Sequence, residues 1–324
     1  MLIAFYRGER NPRPESFKMI NWQPRLTVLN DSKILLTRRL EAPARQPHRK
    51  ARPAVPEQQE GACAMSMEIN PVEDGPIEVG TVGILRRYPV KSMMGETLER
   101  AFVAYSGLMG DRVFAFVNPE KRRNFPWHTV REYTEMLLYK PRFRGQLDPA
   151  AHYPNHDEFA VDVTTPDGRQ FSLHDKKFLA ELREESGCDF ELRFSEKGMP
   201  DSHPVSIFGL DTLRALSEEV GVEVDHRRFR ANFYVRWIDS TPFYEDELVG
   251  KCLKVGETLE IMIVKKDTRC KIVTVDPDTA DVNPEVLRTI ARKHAGCAGV
   301  YAVVLREGVV EQGAKVQLLT TYKH

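Results

Sequence analysis

Cys270 stands in KKDTRCKIVTVDPDTA, residues 265–280, behind an arginine and ahead of a lysine, an apolar run and two aspartates. A thiolate is both a nucleophile and a soft metal ligand, and cationic neighbours help to keep it deprotonated. Read locally, Cys270 is either a core thiol, the commonest fate of a free cysteine, or one ligand of a centre whose other contacts lie far off in the chain. The other cysteines, Cys63, Cys188, Cys252 and Cys297, are scattered and form no C-x-x-C. That excludes a zinc ribbon or a thioredoxin-type pair, and the odd count in a long chain argues for a reducing compartment. A functional cysteine here acts alone or with ligands of another kind.

The run IVTVDPDTA enters D-x-D like an aspartate phosphotransferase loop, in which the first Asp is the nucleophile. Its fifth position is Ala280, and fewer than about 50 residues follow, too few for the parallel sheet such a loop needs. A calcium loop fails because Asp281 stands where the sharp turn requires Gly. Asp276 and Asp278 therefore read as turn formers that accept backbone N–H bonds. Glycine-rich dinucleotide and phosphate motifs, H-E-x-x-H and G-x-S-x-G are absent.

These residues need a frame to hold them. The chain has 324 residues, enough for two modest domains, and its formal charge is zero, so no global field recruits nucleic acid. No apolar run nears the ~18 residues of a membrane span. Residues 1–76 are rich in Pro, Arg and Gln and read as a disordered extension or a mis-assigned start, with Met65 or Met67 as the alternative first residue. Within them only RLTVL and KILLT have strand character, enough for one hairpin. A dozen Lys and Arg against four acids in residues 1–56 make mitochondrial import the lesser reading beside a cytoplasmic one.

From Ile77 the texture changes to short strands closed by Gly, Pro or Asn: 78–90, 98–105 and 112–120, then 135–139, 142–147, 158–164 and 169–173. Helical spacing marks 176–186 and 209–221, the second with Gly221 where a C-terminal cap belongs. Strands resume at NFYVRWI, LEIMIVKK and KIVTV. A helix over 284–293 starts with Asn283 as cap and Pro284 in its first turn. The end of the chain reads as a hairpin with Glu307-Gly308 at its tip. Strands this closely spaced predict a mainly β (α+β) protein built on barrels with a few peripheral helices, with domains at 77–175 and 176–322.

Three segments taken together, YPVKSMMGETLERAFVAYSGLMGDRVFAFV (88–117), RFRANFYV (228–235) and DTRCKIVTVDPDTA (267–280), resemble the MOSC family. That is the molybdenum cofactor sulfurase C-terminal-like domain with its companion N-terminal β-barrel, and the likeness extends to the stand-alone amidoxime-reducing proteins of bacteria and mitochondria. It runs from about residue 79 to 320. The resemblance implies a molybdopterin clasped by the barrels, with Cys270 as metal ligand. It implies cofactor-binding roles for Lys91, Ser92, Arg112, Arg131, Arg230, Asn232 and Thr268, and a catalytic position for Tyr301. Those residue types suit the ligand: Lys is a point charge and Arg a fork for phosphate oxygens, and Asn pairs a donor with an acceptor for a pterin edge. Ala280 and Ala314 depart from the family pattern, at a turn and a hairpin corner.

The activity implied is reduction of N-hydroxylated or N-oxygenated small molecules, with electrons from a separate flavin, ferredoxin or haem protein. The alternative is a sulfur or cofactor carrier that holds a persulfide on Cys270. Sulfurases of the wider family use pyridoxal phosphate in a separate domain, for which this chain has no room. Trp127 and His128 receive no assignment, and Cys188, Cys252 and Cys297 read as structural thiols.

Overall fold

The computed structural model describes residues 26–30, 33–36, 69–71 and 75–322, apart from 122–124, 146 and 148–155. Leu26–Asn30 and Lys33–Leu36 pair antiparallel, with Leu26 opposite Leu36, which is the hairpin expected of that segment. Apart from residues 69–71 and 75–76, the rest of the expected extension, with Cys63, lies outside the described residues. No helix among the described residues is long and apolar enough to cross a membrane.

Seven strands close a barrel in the order Ile77–Arg87, Phe233–Trp237, Val205–Gly209, Cys297–Arg306, Leu259–Thr268, Cys252–Val255 and Lys315–Tyr322, the last pairing back onto the first. Neighbours are antiparallel except Val205–Gly209 and Phe233–Trp237, where Ile207 faces Phe233 in parallel register. A parallel pair needs a crossover, and helix α2 (Leu210–Val220) lies within it. Alternation puts Leu85, Ile207, Phe233, Val235, Ile261, Ile263 and Val300 into one apolar core. A second core joins Val90, Phe114, Phe116, Met136, Phe178 and Phe190, and a third joins Phe208, Leu216, Phe229, Tyr234, Val286 and Ile290.

Helix α1 (Lys176–Ser186) starts where Asp175 accepts from Lys177 N and Phe178 N and stops at Gly187, with φ 61°. Helix α2 stops at Gly221, with φ 81°. Its first residue follows Gly209, which has no side chain to cap with; the carboxylate of Glu245, in the short helix α3 (Tyr244–Glu247), accepts from Gly209 N instead. Helix α4 (Pro284–Lys293) has Asn283 accepting from Glu285 N.

Three expectations are overturned. Residues 134–138 and Lys271–Thr274 are 3-10 turns, not strands; short apolar runs look alike in either state, and tertiary packing arbitrates. The chain end is not a hairpin. Cys297–Arg306 pairs with Leu259–Thr268 and Val205–Gly209, Gly308–Glu311 pairs with Arg100–Ala104, and Lys315–Tyr322 closes the barrel. Gly308 permits a close approach to the neighbouring strand there, since a Cβ would lie 2.4 Å from the Leu259 nitrogen.

Candidate functional site

A cavity of about 510 Å³ is lined by Lys91, Ser92, Arg112, Arg131, Arg230, Asn232, Thr268, Cys270 and Tyr301 together. Every site residue singled out from the sequence therefore faces one space, though these residues span more than two hundred positions of the chain. The volume lies in the ordinary range for small-molecule and cofactor sites.

Segment 88–94 is braced against 111–114. Tyr88 N donates to Asp111 Oδ1 at 2.8 Å, Arg112 N to Tyr88 O at 2.6 Å, and Lys91 N to Phe114 O at 2.8 Å. The other oxygen of Asp111 pairs with Arg112 Nη1, and both residues are largely buried, so this is no surface ion pair. Arg112 Nη2 donates to the Arg230 carbonyl at 2.8 Å, and Arg230 Nη1 to the Met93 carbonyl at 2.6 Å. The two guanidinium carbons lie 4.8 and 4.3 Å from the centroid of the fully buried Tyr88 ring. Ser92, Arg112 and Arg230 have φ values of 70°, 52° and 54°, and among the described residues only three other non-glycine positions share that left-handed backbone. Strained backbone persists where its surroundings over-determine it, as these hydrogen bonds do, and such positions concentrate at functional sites.

The cysteine side is held by the barrel. Cys270 is half-buried, follows the Leu259–Thr268 strand and leads into the Lys271–Thr274 turn, with Val273 N donating to its carbonyl at 3.2 Å. It opens on the cationic cavity and not into a sealed apolar core. Arg269 reaches back, donating to Ala298 O at 2.7 Å and Phe229 O at 2.9 Å, and its Nη1 lies 2.8 Å from Asp267 Oδ2. Gly299, with φ 76°, leaves room for it: a Cβ there would lie 2.7 Å from the Phe208 ring and 3.1 Å from Arg269 Nη2. Lys271 Nζ donates to the Arg131 carbonyl at 3.0 Å, tying the cysteine turn to the loop that carries Arg131. The exposed Arg131 guanidinium lies over the Phe125 ring at 4.5 Å. The exposed Thr268 hydroxyl lies 3.7 Å from Cys297 Sγ. Asp276 Oδ1 accepts from Asp278 N and Thr279 N, the turn role expected of it, whereas Asp278 turns outward to Arg227.

Burial, reinforced by repulsion from Arg112, pushes the Arg230 guanidinium down to about 10. Burial works most strongly against the charge of Arg112, but Asp111, Tyr88 and Tyr301 together outweigh it and raise that group. Burial and then the nearby Asp267 charge raise the Tyr301 phenol, so it stays protonated. Burial raises the Asp267 carboxyl in spite of Arg269. Lys91 is lowered by burial, with Asp201 opposing.

Five cations, Lys91, Arg112, Arg131, Arg230 and Arg269, face two carboxylates in this cavity, Asp201 and Asp267. Arg230 Nη2 and Arg269 Nη2 are buried N–H groups without a partner. Unsatisfied buried donors are costly, so these two N–H groups are available to acceptors brought by a ligand. Among the described residues no three His, Cys, Asp or Glu side chains cluster as a metal-binding group. A metal held at Cys270 would therefore need its remaining ligands from a bound group. The residues present fit an anionic cofactor that brings its own donors.

The Asn232 amide is half engaged: its oxygen accepts from Ser206 N at 3.1 Å and its nitrogen donates to Arg86 O at 3.3 Å. One donor and one acceptor valence remain. Asp201, Asp267 and His203 also line the cavity and went unassigned in the sequence: Asp201 and His203 sit in a segment without a motif, and Asp267 opens the cysteine segment without a role of its own. Trp127 lines it with its ring centroid 5.5 Å from Lys91 Nζ, whereas His128 is buried against Phe190.

The MOSC N-terminal beta barrel domain matches residues 79–191 and the MOSC domain residues 194–317. Molybdenum cofactor sulfurase of Caenorhabditis elegans is 26% identical over 72% of this chain, and that of Caenorhabditis briggsae 28% identical over 38%. The chain covers 34% and 17% of the lengths of those two proteins. Among solved structures, the YuaD protein from Bacillus subtilis is similar at 13% identity over 78% of this chain and 99% of its own, with a TM-score of 0.42. YiiM from Geobacillus stearothermophilus is similar at 19% identity over 36% of this chain and 54% of its own, with a TM-score of 0.29. With both domain matches in tandem over a mostly β fold closed by a seven-stranded barrel, the chain belongs to the MOSC domain family.

Proposed function

We propose that the cavity binds the molybdenum cofactor and that the chain is an oxidoreductase acting on N-hydroxylated or related N-oxygenated compounds, with electrons from a separate flavin, ferredoxin or haem protein. The observation that carries this reading is the meeting of one soft thiol, Cys270, with five cations, two of which hold buried N–H groups without a partner. When bound, the cofactor supplies the redox centre at which R–NH–OH, two electrons and two protons become R–NH2 and water. Cys270 is then the protein's ligand to the metal. Lys91, Ser92, Arg112 and Arg230 hold the phosphate end, and Asn232 offers its spare donor and acceptor to the pterin edge. Arg131 and Thr268, both exposed, stand at the solvent side of the same cavity. Tyr301 keeps its proton in that space.

The partial likeness to molybdenum cofactor sulfurases favours a second reading, a sulfur carrier. There the Cys270 thiolate attacks the outer sulfur of a donor persulfide, so that R–S–SH and Cys270–S⁻ give R–S⁻ and Cys270–S–SH. One experiment separates the two: molybdenum analysis and benzamidoxime reduction with an artificial electron donor, on wild type and Cys270→Ser. Metal and turnover that are both lost in the variant support the oxidoreductase. Metal-free wild type bearing cyanolysable sulfur supports the carrier, and a Cys270→Ser protein that keeps metal and turnover refutes both.

A further inference from the structure

The end of the Ile77–Arg87 strand carries Arg86 into a second cavity, of about 260 Å³, which shares no lining residue with the first. Arg86, Lys140, Arg142 and Arg227 line it, with Glu96 and Asp278 as its acids. Both acids are already engaged. Glu96 accepts from Arg87 Nε at 2.8 Å, and Asp278 accepts from Arg227 Nη1 at 2.8 Å. Arg86 is only 5% exposed; it donates to Thr97 Oγ1 and to the Gly95 carbonyl, each at 2.9 Å, and its Nε is a buried N–H without a partner.

Lys140 and Arg142 stand two apart on one strand, so both point to the same face. Both are exposed, and neither has an ion pair among the described residues. Lys140 is close enough to help hold the Asp278 carboxyl below its ordinary value, after Arg227. The cavity therefore has a buried guanidinium with a donor to spare and two free cations at its mouth, while its own carboxylates are spent. Convergent donors from several directions suit a tetrahedral oxyanion better than a planar carboxylate, and guanidinium forks match its oxygens.

We infer that this cavity is a binding site for a small phosphate-bearing anion, separate from the site proposed for the cofactor. Its strand also reaches the first cavity: Asn232 Nδ2 donates to the Arg86 carbonyl at 3.3 Å, and the Arg86 guanidinium carbon lies 5.8 Å from the Tyr88 ring centroid. An occupant here restrains the strand end that presents Tyr88.

The test is calorimetric titration of the purified full chain with inorganic phosphate and with glycerol phosphate at low ionic strength, on wild type, Lys91→Ala and Lys140→Ala/Arg142→Ala. The double variant alters only exposed side chains, and its circular dichroism spectrum is expected to match wild type. Phosphate binding that survives Lys91→Ala and weakens about tenfold or more in the double variant, with loss of affinity as salt rises, supports the site. Arg86→Lys, which keeps the charge without the fork, is expected to weaken the same binding. Titration of the double variant that is indistinguishable from wild type overturns the inference. So does binding to phosphatidylglycerol vesicles with none to free phosphate or glycerol phosphate.

Discussion

Lys91 Nζ lies 2.6 Å from Asp201 Oδ1 and 2.9 Å from the Met199 carbonyl, so the buried lysine of the cavity is already neutralised from within its own chain. Lys91 is almost fully buried while the Asp201 side chain is 55% exposed. The carboxylate is thus the partner that can swing away. It occupies a coordination direction of Lys91 that an incoming anion must take.

Asp201→Asn is expected to strengthen binding of inorganic phosphate to the ligand-free cavity at neutral pH, because the competing carboxylate is gone. The pH dependence follows from Lys91. Its folded value lies below the ordinary one, through burial, and Asp201 resists that shift. Anion binding requires the protonated amine, so affinity falls as pH rises through the lowered value, and in Asp201→Asn the fall begins at lower pH. Phosphate titrations across pH 6–10 check this with about half-unit steps; affinity that is unchanged by the substitution at every pH rules out the competition.

Arg230 is expected to trade stability against binding. Its guanidinium is buried, repelled by Arg112 and left with one N–H unpaired. Arg230→Met removes that cost, at the loss of one bond to the Met93 carbonyl, and should raise the stability of the ligand-free protein by about 1 kcal/mol or more. The same change should abolish retention of an anionic cofactor. Urea denaturation of ligand-free protein and metal analysis read the two signs separately.

Glu245 has no solvent exposure and accepts from Gly209 N at 3.0 Å and Thr212 Oγ1 at 2.9 Å. Burial raises its carboxyl above the ordinary value despite those bonds. A carboxyl that binds its proton more tightly in the folded state contributes stability at acid pH that is lost as pH rises through the folded value. Glu245→Gln should flatten that slope. Glu245→Ala leaves two buried donors unmet and should cost about 1–3 kcal/mol, read by denaturation midpoints at pH 5 and pH 8.

Ala280 adopts φ 62° in the turn after the cysteine, with its N–H bonded to Asp276 O at 3.0 Å. A Cβ in left-handed backbone costs ~1–2 kcal/mol, part of which glycine gives back through the unfolded chain. Ala280→Gly should therefore raise the midpoint of thermal unfolding by a few degrees, with molybdenum content unaltered. A lowered midpoint would mean that the buried methyl group outweighs the backbone strain.

The sequence by itself determined the local states that depend on neighbours a few residues away. Helix α1 begins at Asp175 and ends at Gly187, α2 ends at Gly221 and α4 begins at Asn283, because caps and 3.6-residue spacing are local signals. The site residues were legible as motifs through resemblance, but nothing in YPVKS, GDR or RCKIV alone says that they face one space.

The tertiary structure alone decided what those segments meet. It sent Gly308–Glu311 out of the expected hairpin to pair with Arg100–Ala104, and it turned KIVT into a 3-10 turn beneath the cysteine. It also chose the counter-ions, Asp201 for Lys91 and Asp267 for Arg269, and left Arg230 Nη2 and Arg269 Nη2 unpaired beside the cavity. Pairing partners and charge compensation are set by contacts between residues remote in sequence, and no local pattern carries that information, because any free edge or exposed acid would satisfy it equally.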